Sequence, residues 1–300
     1  MIFSLRKNPI LVSRVFGGIG NQLFIYAASK RLAHRNKAEL ILDNITGFKY
    51  DYEYERHYQL DHFNIKSRNA NLFDRLEPFS KIRRYLKRLF NKYSSYNNRS
   101  YISQESNLFD QRILDLNFKK NLYLEGYWQN EKYFKDIEDI IRNDLQIKPP
   151  QDCLNLELSK RIKKDISIAI HVRFFNDPNT GSDISIEYYN RAILRMENKF
   201  PDAQYYLFSD RPEHAITKIS IPPNRITVVK NNSGDLNAYA DLWLMSLCNH
   251  FIIANSTFSW WGAWLSQSHE KVVIAPNYKD SSEGMSESFD SMILDDWIKC

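Results

Sequence analysis

The sequence predicts an α/β protein of two domains. A strand–turn–helix–strand pattern opens it, Pro149 and Pro150 divide it, and strands alternate regularly with helices beyond that pair. Parallel neighbours need helix-length crossovers, so this alternation indicates a parallel sheet with helices on both faces. Three hundred residues suit two domains of ordinary size better than one small core. The domains read as 1–150 and 151–300, with the extreme C-terminal segment a candidate to pack back on the first.

In the first domain, Pro9 to Val15 is strand-like, Gly17 to Gly20 is a turn, Gln22 to about Lys37 is helical, and Leu40 to Leu42 is a short strand. From Gly47 to about Tyr101, Tyr, Asn and basic residues are dense without a clean period, which reads as helices and loops. Within that stretch, Lys81 to Lys92 (KIRRYLKRLFNK) carries Ile82, Tyr85, Leu86 and Leu89 at helical spacing, with cations on remaining positions. An ordinary solvated helix fits this pattern, and so does peripheral contact with an anionic membrane surface or a lipid-linked acceptor. Another helical stretch, Lys132 to Leu145, ends before the prolines.

In the second domain the strands read as Ile166 to Val172, Gln204 to Phe208, Ile226 to Val229, Phe251 to Ala254 and Val272 to Ala275. The helices between them are Ser185 to Lys199, Asp235 to Cys248 and Phe258 to Ser266. Sheets of this kind bind ligands beyond the carboxyl ends of their strands, so the polar residues there are the ones to weigh.

The composition is that of a packed globular protein, 43% hydrophobic, 14% aromatic and 26% charged. Forty-one Lys and Arg against 36 Asp and Glu leave a formal charge of +5. That suits an anionic ligand and is too small to argue for nucleic acid. The segment Met1 to Val15 is too short and interrupted for a signal peptide or spanning helix, and no later stretch reaches spanning length. Cys153, Cys248 and Cys300 are odd in number, far apart and without a Cys/His cluster. Unpaired thiols in a reducing cytosol follow as the expectation, with no zinc.

Three constellations carry the chemistry. Gly17-Gly18-Ile19-Gly20-Asn21-Gln22 follows a strand and opens a helix, which aims free N–H groups and the positive helix end at an anion or polar sugar. It lacks the dinucleotide-binding spacing and the P-loop lysine, so a purely structural turn fits equally. His171-Val172-Arg173 closes a strand with His171 and Arg173 on one face. A guanidinium there offers a planar fork to a diphosphate, and His171 a hydrogen bond to a base or ribose. Asn255-Ser256-Thr257 precedes a helix, where hydroxyls and unpaired amides suit a phosphate oxygen or simply cap the helix. Asp241 lies beside an apolar helical stripe and is a candidate acceptor for guanine N–H groups. No Asp-x-Asp occurs, so a metal held by that motif is not indicated.

The segments GGIGNQLFIYA at 17–27, HVR at 171–173, YYLFSD at 205–210 and DLWLMSLCNHFIIANSTFSWWGAWL at 241–265 together resemble the family 11 glycosyltransferases, the α-1,2-fucosyltransferases. The last is the most specific, and all four stand in family order. The resemblance implies a GT-B-like pair of Rossmann-type domains facing a cleft, GDP-fucose as donor, a galactose-containing acceptor, inversion at the anomeric carbon and no required metal or cofactor. It makes Arg173 the diphosphate contact and catalytic group, His171 a nucleoside contact, Ser256 and Thr257, with Asn255, the β-phosphate site, and Asp241 the guanine acceptor. It turns Gly18, Gly20, Asn21 and Gln22 toward the sugar and acceptor, with Asn21 orienting the latter. It also implies a cytoplasmic enzyme of surface polysaccharide synthesis.

The chain departs from the family's H-x-R-R-x-D. Phe174 stands in place of the second Arg, and Asn176 in place of the acid, with Asp177 one position later. A lost guanidinium would weaken the hold on the leaving diphosphate. The rival readings are therefore a fucosyltransferase of another linkage and a catalytically silent GDP-sugar-binding protein.

Overall fold

The computed structural model describes residues 8–91, 93–174, 184–277 and 287–300. The chain divides into two compact units, Met1–Gln146 and Ile147–Cys300, each built on its own parallel sheet.

In the first unit the strands are β1 (Ile10–Arg14), β2 (Glu39–Asp43), β3 (Arg68–Asn69), β4 (Tyr101–Ser103) and β5 (Leu122–Glu125), ordered β3-β2-β1-β5-β4. All pairs are parallel. Helix α1 (Ile19–Asn36) crosses from β1 to β2 and is buried around most of its circumference. Small side chains allow the close approach: the Ser13 and Ser29 hydroxyls meet at 2.7 Å. Lys37 ends the helix at φ 51°, returning its N–H to the Ala33 and His34 carbonyls. Val12, Ile41, Ala70, Tyr101 and Tyr123 form a cluster on the sheet face opposite Ser13, where the Tyr101 and Tyr123 rings stack at 5.4 Å.

Three further helices complete this unit: α2 (Ser80–Asn91), α3 (Gln111–Asp115) and α4 (Glu138–Asp144). The single helix expected over 132–145 is two tight 3-10 turns followed by α4. The turns follow Asn130, whose side chain accepts from the Lys132 N–H and starts the chain anew. Strands β4 and β5 have no counterpart in the sequence reading.

The second unit orders its strands β11-β10-β9-β6-β7-β8, all parallel. They are β6 (Ser167–Val172), β7 (Gln204–Ser209), β8 (Ile226–Val228), β9 (His250–Ile252), β10 (Val273–Ala275) and β11 (Ile298–Lys299). Counted from β6 this is the doubly wound order 3-2-1-4-5-6, read from its other edge. The helices are α5 (Cys153–Lys164), α6 (Ile186–Lys199), α7 (Pro212–Ala215), α8 (Ala238–Ser246), α9 (Thr257–Leu265) and α10 (Glu287–Asp290). Every residue of β6 is buried, which is why it reads as a mostly apolar strand. Ile168, Ile170 and Val172 pack with Tyr188, Tyr205 and Leu207 in the core. Tyr188 is wholly interior, and its hydroxyl donates to the Ile253 carbonyl at 2.6 Å.

The tryptophan-rich α9 is core rather than ligand surface. Trp260, Trp261 and Trp264 are buried against one another, and the Trp260 indole donates to the Met292 carbonyl. Gly262 lets α9 close on α8, since a Cβ there would run into Met245 Sδ. The C-terminal segment is part of the second unit's sheet. Ile298 pairs with Ile274 in the sheet, Cys300 N donates to the Ala275 carbonyl, and Trp297 packs on Trp260.

Gly17 holds φ +77°, and a Cβ there would sit 2.9 Å from Asn21 Nδ2. Gly17→Ala is expected to lower stability by about 1–2 kcal/mol, seen as an earlier urea midpoint at unchanged slope.

Candidate functional site

The crossovers from β6 and into β9 leave the second sheet on opposite sides, so the carboxyl ends of these adjacent strands open a crevice. His171, Arg173 and Phe174 stand at the end of β6, Asp210 just after β7, and Asn255, Ser256 and Thr257 between β9 and α9. Helices of a parallel α/β sheet run counter to the strands, so the first turn of α8, with Asp241, lies at this same edge.

His171 is buried, its ring 5.3 Å from that of Phe258. Burial, and then the nearby Arg173 charge, push its pKa down to about 3, so the imidazole is neutral. Among the described residues its Nδ1 has no hydrogen-bond partner. Orphaned buried nitrogens are uncommon, and this one suits a polar group supplied by a ligand. Arg173 Nη1 lies 3.0 Å from Asp210 Oδ2, while Asp210 Oδ1 accepts from the Phe174 N–H at 3.1 Å. One carboxylate thus fixes both the guanidinium and the backbone after it. Asp210 closes the YYLFSD segment, and its position directly after an apolar strand is the sequence signal for a positioning role.

Phe174 is not a vacancy on the ligand side. Its ring is buried in the core with Val172 and Tyr188 and lies 4.9 Å from the His214 ring. An arginine there would carry its charge into apolar surroundings. A guanidinium does lie over this ring, that of Arg211, with Cζ 6.0 Å from the centroid. Asn176 and Asp177 lie outside the described residues.

Ser256 is the N-cap of α9, and its Oγ accepts from the Phe258 N–H at 3.3 Å. The cap uses a lone pair and leaves the hydroxyl hydrogen to donate. Thr257 is the first residue of the helix, and both residues, like Asn255, are partly exposed. Asp241 Oδ1 accepts from Asn232 Nδ2 at 2.8 Å. Asn232 is itself held by reciprocal bonds to Asn155, at 2.8 Å in each direction. Burial pushes the Asp241 pKa up to about 7 against the opposing bond from Asn232.

In the first unit Gly18 is the N-cap of α1 and, being glycine, supplies no side-chain cap. The Arg56 guanidinium lies 3.9 Å from where a Gly18 Cβ would be. Asn21 is partly exposed and accepts from Gln129 Nε2 at 2.8 Å; Gly20 is buried within the helix. Gln22 corrects the sequence expectation. It is 0% exposed, donates to the carbonyls of Gly17 at 2.9 Å and His57 at 2.7 Å, and accepts from the Gln59 N–H at 2.9 Å. Its amide braces the glycine turn against the 57–59 segment. Nearby, a cleft of about 270 Å³ is lined by Phe16, Arg88, Gln104, Glu125 and Tyr127 among others. Glu125 there pairs with Arg14 at 2.9 Å and Arg88 at 2.8 Å.

Among the described residues, no three His, Cys, Asp or Glu side chains are grouped to hold a metal ion. Nor is any helix of them long and apolar enough to cross a membrane.

Two Rossmann-type units, the second with an arginine, a buried imidazole and a helix N-terminus at its switch point, define the class as a GT-B-like glycosyltransferase fold. The NodZ α-1,6-fucosyltransferase of Bradyrhizobium, soaked with GDP-fucose, has a similar fold at TM-score 0.51 and 14% identity, over 92% of this chain and 98% of that one. A variant of Arabidopsis thaliana FUT1 in complex with GDP is similar at TM-score 0.51 and 12% identity, over 91% of this chain and 72% of that one. The model of glycosyl transferase family 11 matches residues 14–300, and the chain belongs to that family. It is 30% identical to an α-1,2-colitosyltransferase of Escherichia coli, over 89% of this chain and 91% of that protein. It is 28% identical to the O-antigen biosynthesis glycosyltransferase WbnK of Escherichia coli, over 96% and 99%.

Gln22→Leu would leave two carbonyls and one N–H unanswered in the interior. Its expected cost is about 3 kcal/mol or more, measured by urea unfolding. Folded Gln22→Leu protein should retain the KM of the parent for the sugar donor, because the residue braces rather than binds.

Proposed function

We propose that this family 11 glycosyltransferase moves L-fucose from GDP-fucose to a hydroxyl of a glycan acceptor, with O2 of a galactoside the favoured position and inversion at the anomeric carbon. The observation that carries the reading is the grouping of Arg173, His171, Asp241 and the α9 N-terminus along one edge of the doubly wound sheet. The donor assignment is supported by the family, by the GDP-fucose soaked into one of the similar folds and by the GDP in complex with another.

The acceptor oxygen attacks the anomeric carbon from the face opposite the nucleotide. The bond from that carbon to the β-phosphate oxygen breaks, the diphosphate keeps the electron pair, and the acceptor loses its proton. Positive charge grows on the sugar ring as negative charge grows on the diphosphate, so donors aimed at the phosphate act selectively on the transition state. Arg173, its plane set by Asp210, and the Ser256 and Thr257 hydroxyls with the first amides of α9 are the assigned donors. Neutral His171 would present Nδ1 to the nucleoside, and Asp241 would accept from guanine N1–H and N2–H. In the first unit, Gly18, Gly20 and Asn21 are assigned to the sugar and acceptor. The reaction so drawn requires no metal. A colitosyl donor is the second reading, favoured by the 30% identical relative.

The deciding experiment incubates the chain with fucosyl and colitosyl donors and a panel of galactosides, with NMR of the product linkage. Fucosyl transfer to O2 that persists in EDTA is expected. Transfer elsewhere, a colitosyl preference or a manganese requirement would each overturn the corresponding part. GDP release without a glycoside product would overturn the transferase assignment.

Arg173→Lys keeps the charge and loses the paired donors. Its kcat should fall about 10²- to 10³-fold with KM little changed. A near-normal kcat in a folded variant would remove Arg173 from the mechanism.

Asp241 gives a pH test. Its folded-state pKa of about 7 lies above the ordinary carboxylate value, so below that pH the empty site holds a proton that guanine must displace. GDP affinity should be flat above neutrality and fall up to about tenfold per pH unit below it. Titration calorimetry should show proton release on binding, and Asp241→Asn should abolish both the release and the slope.

A further inference from the structure

Helix α2 is inverted. Its buried residues are polar, Ser80, Arg84 and Asn91, whereas Ile82, Tyr85, Leu86, Leu89 and Phe90 are all exposed, Ile82 at 58% and Phe90 at 71%. At 3.6 residues per turn these five cover a continuous arc of about 140°, opposite the buried polar residues. Lys81 borders one edge of the arc and Arg83 the other, both exposed. The apolar surface continues beyond the helix ends in exposed Phe79 and in Tyr93, which is 93% exposed. Lys81 Nζ stands 3.6 Å above the Tyr50 ring, and Tyr50 meets Tyr52 edge-on at 6.4 Å, both rings exposed.

The polar underside fixes this orientation. Arg88 Nη2 donates to Glu125 Oε2 at 2.8 Å and to the Tyr101 hydroxyl at 3.2 Å. Arg84 Nη1 donates to Thr46 Oγ1 at 3.4 Å, and the Asn91 amide donates to the Tyr101 carbonyl. Rolling the helix to hide its apolar arc would break all of these and strip two cations from Glu125. The arc therefore stays outward.

We propose that α2, with Phe79, Tyr93, Tyr50 and Tyr52, docks the protein on an anionic lipid bilayer, the helix lying in the plane of the interface. An apolar arc bordered by cations is the pattern that seats an interfacial helix: apolar side chains enter the acyl boundary while Lys and Arg stems reach back to lipid phosphates. Exposed tyrosines suit the headgroup depth, with ring in and hydroxyl out. A second copy of the chain fits less well. Two-fold pairing through this arc would bring the Lys81 and Arg83 borders of both copies together, with no acidic side chain on the exposed arc to answer them. The cleft beside Glu125 shares Arg88 with this helix, so docking would hold that cleft near a membrane-borne acceptor. The docking itself stands whichever donor sugar is used.

The test is co-sedimentation of the full chain with vesicles of phosphatidylcholine alone or mixed equally with phosphatidylglycerol. The unmodified chain should partition onto the anionic vesicles, at least about tenfold more weakly onto the neutral ones, and less as salt rises. Two double variants, Leu86→Ser with Phe90→Ser and Lys81→Glu with Arg83→Glu, change exposed side chains only. Each should keep the parent Tm and lose at least about tenfold in anionic partitioning. Equal partitioning of parent and variants, or indifference to phosphatidylglycerol, would overturn the proposal. So would a dimer, seen by light scattering, that the Leu86 and Phe90 variant dissociates while the parent binds no vesicles.

Discussion

The parallel pairing of β6 with β7 on one side and β9 on the other is the constraint on which the second unit depends. Six residues of β6 register with β7 from Ser167↔Gln204 to Val172↔Ser209, and three register with β9. Because β6 is flanked on both edges and covered on both faces, its side chains are buried throughout and mostly apolar, Ser167 and His171 apart. The site's polar groups gather at its carboxyl end, with His171 in the last two residues of the strand and Arg173 just beyond it. The same pairing fixes where β9 ends, and hence where Ser256 turns the chain into α9. A site assembled from strand ends inherits the rigidity of the sheet without requiring its functional side chains to be buried in it.

Charge around that edge is held by neighbours with distinct tasks. Asp210 binds the side chain of Arg173 and the backbone of Phe174, so the guanidinium plane is set before any ligand arrives. An arginine positioned in this way pays less of its rotamer entropy on binding a phosphate. Asp241 is treated differently. Its bond comes from a neutral amide, Asn232, which is anchored by Asn155 rather than by a cation. An acid that is partly buried and, among the described residues, has no counter-charge in contact is poised to exchange its proton for a hydrogen-bonding ligand. One strand edge thus carries a cation kept ready by an anion and an acid kept near neutrality by burial.

The regular half of this architecture was legible because β6, β7 and α6 bury faces whose apolar spacing matches their period. Ser185, which caps α6 by accepting from the Tyr188 N–H, marks the helix start in the sequence itself. The irregular half was not. β4 and β5 lie at the end of and beyond the aperiodic stretch dense in Tyr, Asn and basic residues, and their place in the sheet comes from pairing with distant β1 and with each other. The site residues divide along the same line. Arg173, Ser256 and Asp241 stand where a strand end or helix start placed them. Gln22 reads as a sugar contact because amides serve both purposes, and only the fold shows its partners to be Gly17, His57 and Gln59. Phe174 reads as a lost cation by comparison with its family, whereas the interior of this chain uses its ring.

Helix α2 shows what periodicity can and cannot determine. Spacing reveals that one face is apolar, and the ordinary rule turns that face inward. The rule assumes that the polar face has nothing better than water to bind. Here Glu125, at the end of a central strand, draws Arg88 and Arg84 to the protein, and the carbonyl and hydroxyl of Tyr101 draw Asn91 and Arg88. Glu125 already faces Arg14, so its carboxylate is the centre of a charge network spanning β1, β5 and α2. A half-buried carboxylate is costly unless its oxygens are answered. The helix that answers them is held polar face down, and its apolar face is left for whatever lies outside the fold.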